Sequence, residues 1–188
     1  MFMDYILTFD FAILDWIRAN LSCPFMDAAM PFVSLFAEAG IFFILCTAVM
    51  LIFPRWRRTA LSSAFALIIG LFVCNIILKP LVGRIRPYDV HGVSIIVEPL
   101  GDGSFPSGHA LASFEFATVL VKRRPKLGIP AVVLALLISF SRLYLYLHFP
   151  TDVLTGIVLG ILFGILGCVI ADAICREIEK KKGITIPE

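Results

Sequence analysis

Long apolar runs separated by short charged clusters make up most of this chain. The runs cover about residues 27–53, 60–78, 107–121, 129–147 and 150–174. A helix needs about 20 residues to cross a bilayer, and only the third run is short for that purpose. The pattern therefore predicts five membrane-spanning helices and an all-α fold.

The N-terminal segment shows a different pattern. Between residues 5 and 20, apolar residues are interrupted by Asp10, Asp15 and Arg18, and Trp16 is placed to lie at headgroup depth. This mixture is typical of an amphipathic helix at the membrane interface, and a sixth crossing is the alternative. The predicted organisation is an N-terminal amphipathic helix at 1–26, a polytopic helical bundle of five to six transmembrane helices at 27–174, and a basic cytoplasmic tail at 175–188.

Composition agrees with a membrane protein. Hydrophobic residues make up 60% of the 188 residues, above the roughly 45–50% of an average soluble domain. The net charge is only +2 and the cations form clusters, so we expect membrane lipids as partners and no nucleic acid. The five cysteines have neither a CxxC motif nor Cys/His spacing, which predicts that no metal site is built on them.

The basic residues predict the orientation in the membrane. They cluster at 55–58, 122–126 and 176–182, and alternate crossings place all three clusters on one side. The positive-inside rule makes this side the cytoplasm, so we expect a multi-pass protein of the plasma (inner) membrane with a cytoplasmic C-terminus. Three other polar clusters then face outward together.

The first outward cluster contains Lys79, Arg84 and Arg86, just beyond the second apolar run. Arg86 can offer a planar fork to two phosphate oxygens, and Lys79 can add a point charge. Cations at a membrane edge also serve as snorkelling anchors, and Arg84 could belong to either class. The polar loop that follows, at 79–105, is long enough to cover a site.

The second outward cluster is Pro106-Ser107-Gly108-His109 at the start of the third run. Ser107 is placed as a helix N-cap, and the unpaired amides at a helix start bind anions. Ser107 and the Gly108 amide could therefore contact a phosphate, and a plain capping role is the alternative for Ser107. His109, in the first turn, could act as a general acid toward a leaving oxygen.

The third outward cluster contains Arg142, His148 and Asp152. Pro150 suits the first turn of the fifth helix, so Asp152 lies in that turn and its carboxylate could fold back toward His148. A carboxylate that holds one ring nitrogen leaves the other as a nucleophile or base of defined tautomer. Asp152 could otherwise be an ordinary acid at a helix start.

Taken together, the three clusters resemble the type 2 phosphatidic acid phosphatase superfamily, the membrane lipid-phosphate phosphatases that share a site with vanadium haloperoxidases. The family's pattern is Lys-x6-Arg-Pro, then Pro-Ser-Gly-His, then Ser-Arg-x5-His-x3-Asp. It is matched by Lys79 with Arg86-Pro87, by Pro106 to His109, and by Ser141-Arg142 with His148 and Asp152. The resemblance extends from about residue 27 to the fifth run.

The resemblance implies a role for each matched residue. His148 would attack phosphorus to form a phosphohistidine, Asp152 would orient and activate it, and His109 would protonate the leaving group. The phosphoryl oxygens would be bound by Lys79, Arg86, Ser107, Gly108 and Arg142. The resemblance also implies catalysis by protein cations alone, with no metal and no other cofactor.

The implied enzyme is a lipid phosphatase with its site at the outer membrane face. The small size favours undecaprenyl diphosphate as substrate, and phosphatidylglycerophosphate, phosphatidate and lipid A phosphate are the alternatives. A non-catalytic lipid-binding or transport protein is the reading from a different class, and the presence of His109, His148 and Asp152 together disfavours it. The oligomeric state stays open.

Two acids, Glu38 and Glu115, lie within apolar runs. Such residues face the interior of a bundle, and a structural hydrogen bond is the expected role for both. Glu38 could instead reach a cation of the site. His91 and Asp102, in the loop at 79–105, are expected to be solvated.

Overall fold

The computed structural model describes residues 2–183, and this part of the chain is an all-α bundle, as predicted. Its α-helices are α1 (Phe2–Leu21), α2 (Pro24–Leu35), α3 (Ile41–Ile52), α4 (Arg57–Gly70), α5 (Lys79–Val82), α6 (Pro87–His91), α7 (Gly108–Arg123), α8 (Pro125–Tyr144) and α9 (Pro150–Lys182). A π-helix at Leu71–Leu78 joins α4 to α5. π-Helices are rare and often occur at functional sites.

Three helical stretches within the described residues are long and apolar enough to cross a membrane. They are Pro54–His91, Pro125–Tyr144 and Pro150–Lys181, and the shorter helix Ile41–Ile52 is also apolar. The expectation of a polytopic membrane protein is therefore confirmed.

The prediction of one continuous span at 27–53 is wrong. Helix α2 ends at Leu35, a 3₁₀ turn covers Glu38–Gly40, and α3 begins at Ile41. Gly40 has a φ of +69°, in the left-handed region that glycine tolerates and other residues rarely adopt. The break therefore occurs at a glycine whose left-handed backbone conformation interrupts the helix. The surrounding sequence is apolar, and its hydrophobic pattern does not reveal this conformation.

Other helix bounds differ by smaller amounts. Helix α8 covers Pro125–Tyr144 and not 129–147, because Pro125 suits the first helical turn. Tyr146, with a φ of +60°, lies in the turn after its last residue. Helix α9 runs to Lys182 instead of ending near residue 174, and Gly183 caps it in the left-handed conformation. The segment predicted as a basic tail thus begins as the last two turns of a helix.

Helix α7 lies in the middle of the bundle, packed against α4, α8 and α9. It has only 16 residues, and most of its side chains from Ala110 to Leu120 are buried by the surrounding helices. Three glycines of α9 at intervals of four residues, Gly156, Gly160 and Gly164, face it. A Cβ atom at these positions would lie 2.6, 2.6 and 2.7 Å from atoms of Ser107, Leu111 and Thr118, which belong to α7 and its N-cap. Small residues at this spacing let two helix backbones approach closely.

The close contact of α7 with α9 brings their first turns together. The backbone N–H of Ser107 donates to the carbonyl of Asp152 at 3.1 Å. The second and third outward clusters of the sequence are therefore neighbours.

The three basic clusters meet at the opposite end of the bundle. Arg58 pairs with Glu179 at 3.1 Å, and Arg123 pairs with Asp172 at 2.6 Å. Arg124 donates to the carbonyl oxygen of Arg55. The prediction that these clusters share one side of the molecule is confirmed by these contacts.

Candidate active site

The three outward clusters converge on one cavity of about 680 Å³. Five of the eight predicted site residues line it: Lys79, Arg86, Gly108, His109 and His148. Two cations and two imidazoles thus face a single space, which is the arrangement expected for binding and transferring a phosphoryl group.

Lys79 and Arg86 share one carboxylate, that of Asp102. Arg86 is 2% exposed, and its Nη2 donates to Asp102 Oδ1 at 2.6 Å, while Lys79 Nζ donates to Oδ2. Partial burial raises the pKa of Asp102, but the hydrogen bonds and charges of Lys79 and Arg86 outweigh it and lower the pKa to about 2. The expectation that Asp102 is a merely solvated loop residue is therefore wrong. Its carboxylate contacts the two cations predicted to bind phosphate.

Ser107 is fully buried and caps α7, with its Oγ accepting from the backbone N–H of Ala110 at 3.5 Å. It is not part of the cavity wall, whereas the next residue, Gly108, is. A Cβ on Gly108 would lie 3.9 Å from Lys79 Nζ. The start of α7 and the Lys79 ammonium are therefore neighbours on the cavity wall.

His109 lines the cavity from the first turn of α7. Its Nε2 is buried, lies 3.8 Å from Glu38 Oε2, and has no hydrogen-bond partner among residues 2–183. Glu38 thus approaches an imidazole, and within residues 2–183 neither its expected structural hydrogen bond nor the alternative contact with a lysine or arginine of the site is seen. A ring nitrogen available in the cavity is suited to exchanging a proton with a ligand.

His148 lies between α8 and α9 and is 1% exposed. Its Nδ1 is 2.7 Å from the carbonyl oxygen of Ser104, and a carbonyl can only accept, so Nδ1 carries the proton. Nε2 is then unprotonated and lies 3.3 Å from Arg86 Nη1, on the cavity side. Burial lowers the pKa of His148 to about 4, and the charges of Arg142 and Arg86 act in the same direction against the raising effect of Asp152. The ring is therefore neutral at pH 7.

Asp152 is fully buried behind His148, and its nearest oxygen is 3.8 Å from His148 Nδ1. This distance is too long for the direct hydrogen bond that the sequence predicts. Its Oδ2 accepts instead from Ser104 Oγ at 2.5 Å and from the backbone N–H of Phe149 at 3.0 Å. Its Oδ1 accepts from Arg84 Nη1 at 2.5 Å. Ser104 therefore links the carboxylate to the imidazole.

Arg142 is 2% exposed and lines an adjoining cavity of about 490 Å³. Glu38 and Leu100 belong to the walls of both cavities. Arg142 Nη1 donates to Ser34 Oγ, and its Nε and Nη2 have no partner in the part of the chain that the structure describes. Buried guanidinium N–H groups without partners are costly, so they are available to an anion.

Sequence reasoning missed Ser104 and Asp10 and left Arg84 open. Ser104 lies in a loop where a serine is unremarkable, so its sequence gives no signal. Asp10 stands between Phe9 and Phe11 in an amphipathic segment, and it is fully buried. A carboxylate between apolar residues is a candidate functional group, so Asp10 could have been identified on the same ground as the motif residues.

Glu115 differs from the sequence expectation. It is 1% exposed on α7 and lines the cavity, but neither carboxylate oxygen has a hydrogen-bond partner within residues 2–183. The predicted structural hydrogen bond is therefore not seen.

Away from the cations, most of the cavity wall is apolar, although Thr47 and Glu115 also line it. Ile44, Leu67, Ile68, Leu71 and Leu111 line this part, from α3, α4, the π-helix and α7. A ligand with a phosphate at one end and a hydrocarbon chain at the other would match both halves of the cavity.

Comparison with known proteins gives curated relatives of named activity. The chain is 32% identical over 136 residues to an undecaprenyl-diphosphatase of Sulfolobus acidocaldarius. The aligned region covers 71% of this chain and 65% of that protein. It is 30% identical over 134 residues to an undecaprenyl-diphosphatase of Bacillus subtilis, which covers 71% of this chain and 69% of that protein.

The fold also resembles a solved structure, a transmembrane PAP2-type phosphatidylglycerolphosphate phosphatase from Bacillus subtilis. The TM-score is 0.74 at 26% sequence identity, with 92% of this chain and 89% of that chain covered. The model of the PAP2 superfamily matches residues 59–174, which contain all eight predicted site residues. This chain is therefore a member of the PAP2 superfamily, a family of membrane phosphatases.

Proposed function

We propose that this protein hydrolyses the terminal phosphate of a lipid phosphate or diphosphate through a phosphohistidine on His148. The observation that carries the proposal is that His148 Nε2, unprotonated and 3.3 Å from Arg86, faces the same cavity as Lys79 and His109. That cavity continues into an apolar space suited to a lipid chain.

In the first step, the Nε2 lone pair of His148 attacks phosphorus, and the bond from phosphorus to the leaving oxygen breaks. His109, protonated at the start of this step, gives a proton to that oxygen and becomes neutral, so the lipid leaves as an alcohol or monophosphate. In the second step, His109 takes a proton from water, whose oxygen attacks the phosphohistidine. The P–N bond breaks, inorganic phosphate leaves, and His148 returns to its neutral form.

The charge that develops on the phosphoryl oxygens is stabilised by Lys79, Arg86, Arg142 and the start of α7 at Gly108, while Ser107 caps that helix. Asp152 assists by fixing Ser104, whose carbonyl oxygen accepts a hydrogen bond from the His148 ring. Since these side chains supply the positive charge, the reaction proceeds without a metal ion. Two carboxylates that hold cations, Asp102 and Asp152, are bound to arginine or lysine and are not arranged as a metal cage.

We propose undecaprenyl diphosphate as the preferred substrate, since two relatives near 30% identity bear the name undecaprenyl-diphosphatase. Phosphatidylglycerophosphate is the second candidate, on account of the name of the similar solved structure. The site faces outward from the plasma membrane, opposite the basic end with Arg58 and Arg123, which lies in the cytoplasm.

The test is phosphate release by purified protein in detergent with EDTA present. Undecaprenyl diphosphate, phosphatidylglycerophosphate and phosphatidate are compared for the wild type and for His148→Ala. We expect metal-independent release that falls at least about 1,000-fold in the variant. The lipid with the largest kcat/KM identifies the substrate.

Equal release by both proteins would reject His148 as nucleophile. Release that disappears with EDTA and returns with Mg²⁺ would reject the metal-free mechanism. No release from any lipid would reject the enzyme assignment in favour of a lipid-binding protein.

A further inference from the structure

Helix α1 precedes residue 59, where the match to the family begins, yet its acids reach the loop and the helix that carry the site. We propose that α1 is a positioning element of the active site, in which Asp10 holds His148 in its reactive orientation through Arg84, Asp152 and Ser104. The inference rests on the proposed function, because it assigns a task to residues behind the nucleophile.

Asp10 binds the first turn of α9. It is fully buried, and its Oδ1 accepts from the backbone N–H of Thr151 at 3.0 Å, while its Oδ2 accepts from Thr151 Oγ1 at 2.6 Å. Thr151 directly precedes Asp152. Asp10 therefore fixes the turn from which the Asp152 side chain extends.

Arg84 bridges the two carboxylates. Its Nη2 donates to Asp10 Oδ2 at 2.8 Å, and its Nη1 donates to Asp152 Oδ1 at 2.5 Å. The guanidinium carbon also lies 3.9 Å from the centre of the Phe149 ring, next to His148 in sequence. The rigid fork of arginine sets both the distance between the carboxylates and their orientation, which a flexible lysine would not do.

Ser104 completes the connection to the nucleophile. Its hydroxyl donates to Asp152 Oδ2 at 2.5 Å, and its carbonyl oxygen accepts from His148 Nδ1 at 2.7 Å. A continuous series of hydrogen bonds thus runs from Asp10 to the ring nitrogen opposite Nε2. This series fixes the ring orientation and the tautomer.

A second set of contacts from α1 supports the same loop. Asp15 accepts from the Tyr146 hydroxyl at 2.6 Å, and Tyr146 has the unusual φ of +60° two residues before His148. A tyrosine keeps this conformation only when its surroundings impose it. The Phe11 ring packs edge-on against Phe149, with 5.2 Å between centroids. Helix α1 therefore holds the backbone on both sides of His148.

The charges in this series make a distinctive prediction. His148 also faces Arg86, Arg142 and His109, so its protonation responds to any uncompensated charge nearby. Removing the Asp10 charge leaves Arg84 less compensated, which should lower the pKa of His148. Removing the Arg84 charge leaves Asp152 less compensated, which should raise it. A purely structural role for α1 would not produce shifts of opposite sign.

The experiment compares Asp10→Asn and Arg84→Gln with the wild type on the lipid that the wild type hydrolyses best. We expect kcat to fall about tenfold and about 100-fold respectively, with KM within about twofold, because a misplaced nucleophile slows chemistry more than binding. The acid limb of the kcat/KM profile should move to lower pH in Asp10→Asn and to higher pH in Arg84→Gln. The double variant should lose less than the product of the two single losses.

The matched control is Asp27→Asn. This carboxylate also accepts a 2.6 Å hydrogen bond from a tyrosine, Tyr144, but it belongs to α2 and does not contact Arg84. We expect its kcat and pH profile to match the wild type. If Asp10→Asn does not accumulate, Asp10→Glu replaces it, and its kcat should fall without the shift to lower pH.

Two results would overturn the proposal while the wild type is active. One is an unchanged kcat in a folded Asp10 variant, and the other is a loss of activity in the charge-removing variants Asp10→Asn and Arg84→Gln with no opposite displacement of their acid limbs. An inactive wild type would instead reject the proposed function, so the two failures are distinguishable.

Discussion

Two buried carboxylates of this bundle have opposite surroundings. Asp152, at the N-terminal end of α9, is fully buried and accepts hydrogen bonds from Arg84, Ser104 and a backbone N–H. Glu115, in the middle of α7, is 1% exposed and neither of its oxygens has a partner among the described residues. The groups that form hydrogen bonds with a buried acid therefore say more about its role than its burial does.

The difference also concerns stability. Two hydrogen-bond donors and a guanidinium compensate for burying Asp152, whereas nothing described compensates for Glu115. The Glu115 carboxyl lies against Gly70 of α4, where a Cβ would be 1.9 Å from Glu115 Oε1, so a larger residue at position 70 would displace the carboxyl. The surface of α4 at Gly70 thus leaves room for the Glu115 carboxyl, although no hydrogen bond among the described residues stabilises it.

The largest effect should come from Asp152→Asn. The amide keeps the shape but loses the negative charge and cannot accept on both atoms, so kcat should fall about 1,000-fold while the fold survives. Phosphate release and thermal unfolding in detergent, measured on the same preparations, check this. A loss smaller than tenfold would show that the partners of Asp152 do not serve catalysis.

An intermediate effect of opposite sign is expected for Glu115→Leu. Removing an unpartnered buried carboxyl should raise the free energy of unfolding by about 1–3 kcal/mol. The matched control is Glu115→Gln, which keeps a buried polar group and should not stabilise. Thermal unfolding of the three proteins in one detergent tests the prediction. A lower melting temperature for Glu115→Leu would mean that this acid has a stabilising partner after all.

The smallest effect should come from a third carboxylate, that of Asp102, which is 51% exposed at its side chain and contacts Lys79 and Arg86. In Asp102→Asn a substrate phosphate no longer competes with a charge for these cations. KM and the inhibition constant of inorganic phosphate should therefore fall about threefold. Asp89→Asn, in the exposed part of α6, provides the control. A higher KM in Asp102→Asn would mean that the carboxylate organises the cations for substrate.

The sequence predicted which polar residues come together, because isolated polar residues in apolar surroundings carry information without any alignment. Lys79, Arg86, His109 and His148 were expected at one site, and they line one cavity. It was also predictable that the three basic clusters lie on the same side. Helices that cross a membrane in alternating directions allow few arrangements of the segments between them.

The support behind His148 was not predictable. Asp10 and Thr151 are 141 positions apart, and Ser104 and Asp152 are 48 apart. Contacts of this kind depend on how helices pack, and no local pattern encodes them. The break at Gly40 was missed for a related reason, because hydrophobicity measures solvent preference and not backbone conformation.

The length of α9 has a consequence for where the reaction takes place. At about 1.5 Å per residue, the 22 residue steps from Pro150 to Asp172 rise about 33 Å, close to the roughly 30 Å of a hydrocarbon core. The Arg123–Asp172 pair thus sits about one bilayer thickness from His148. With one end of this helix at the far interface, we expect His148, the proposed nucleophile, to lie at the depth of the headgroup phosphates. A lipid can then reach it by lateral diffusion within its own leaflet, without being lifted out of the membrane.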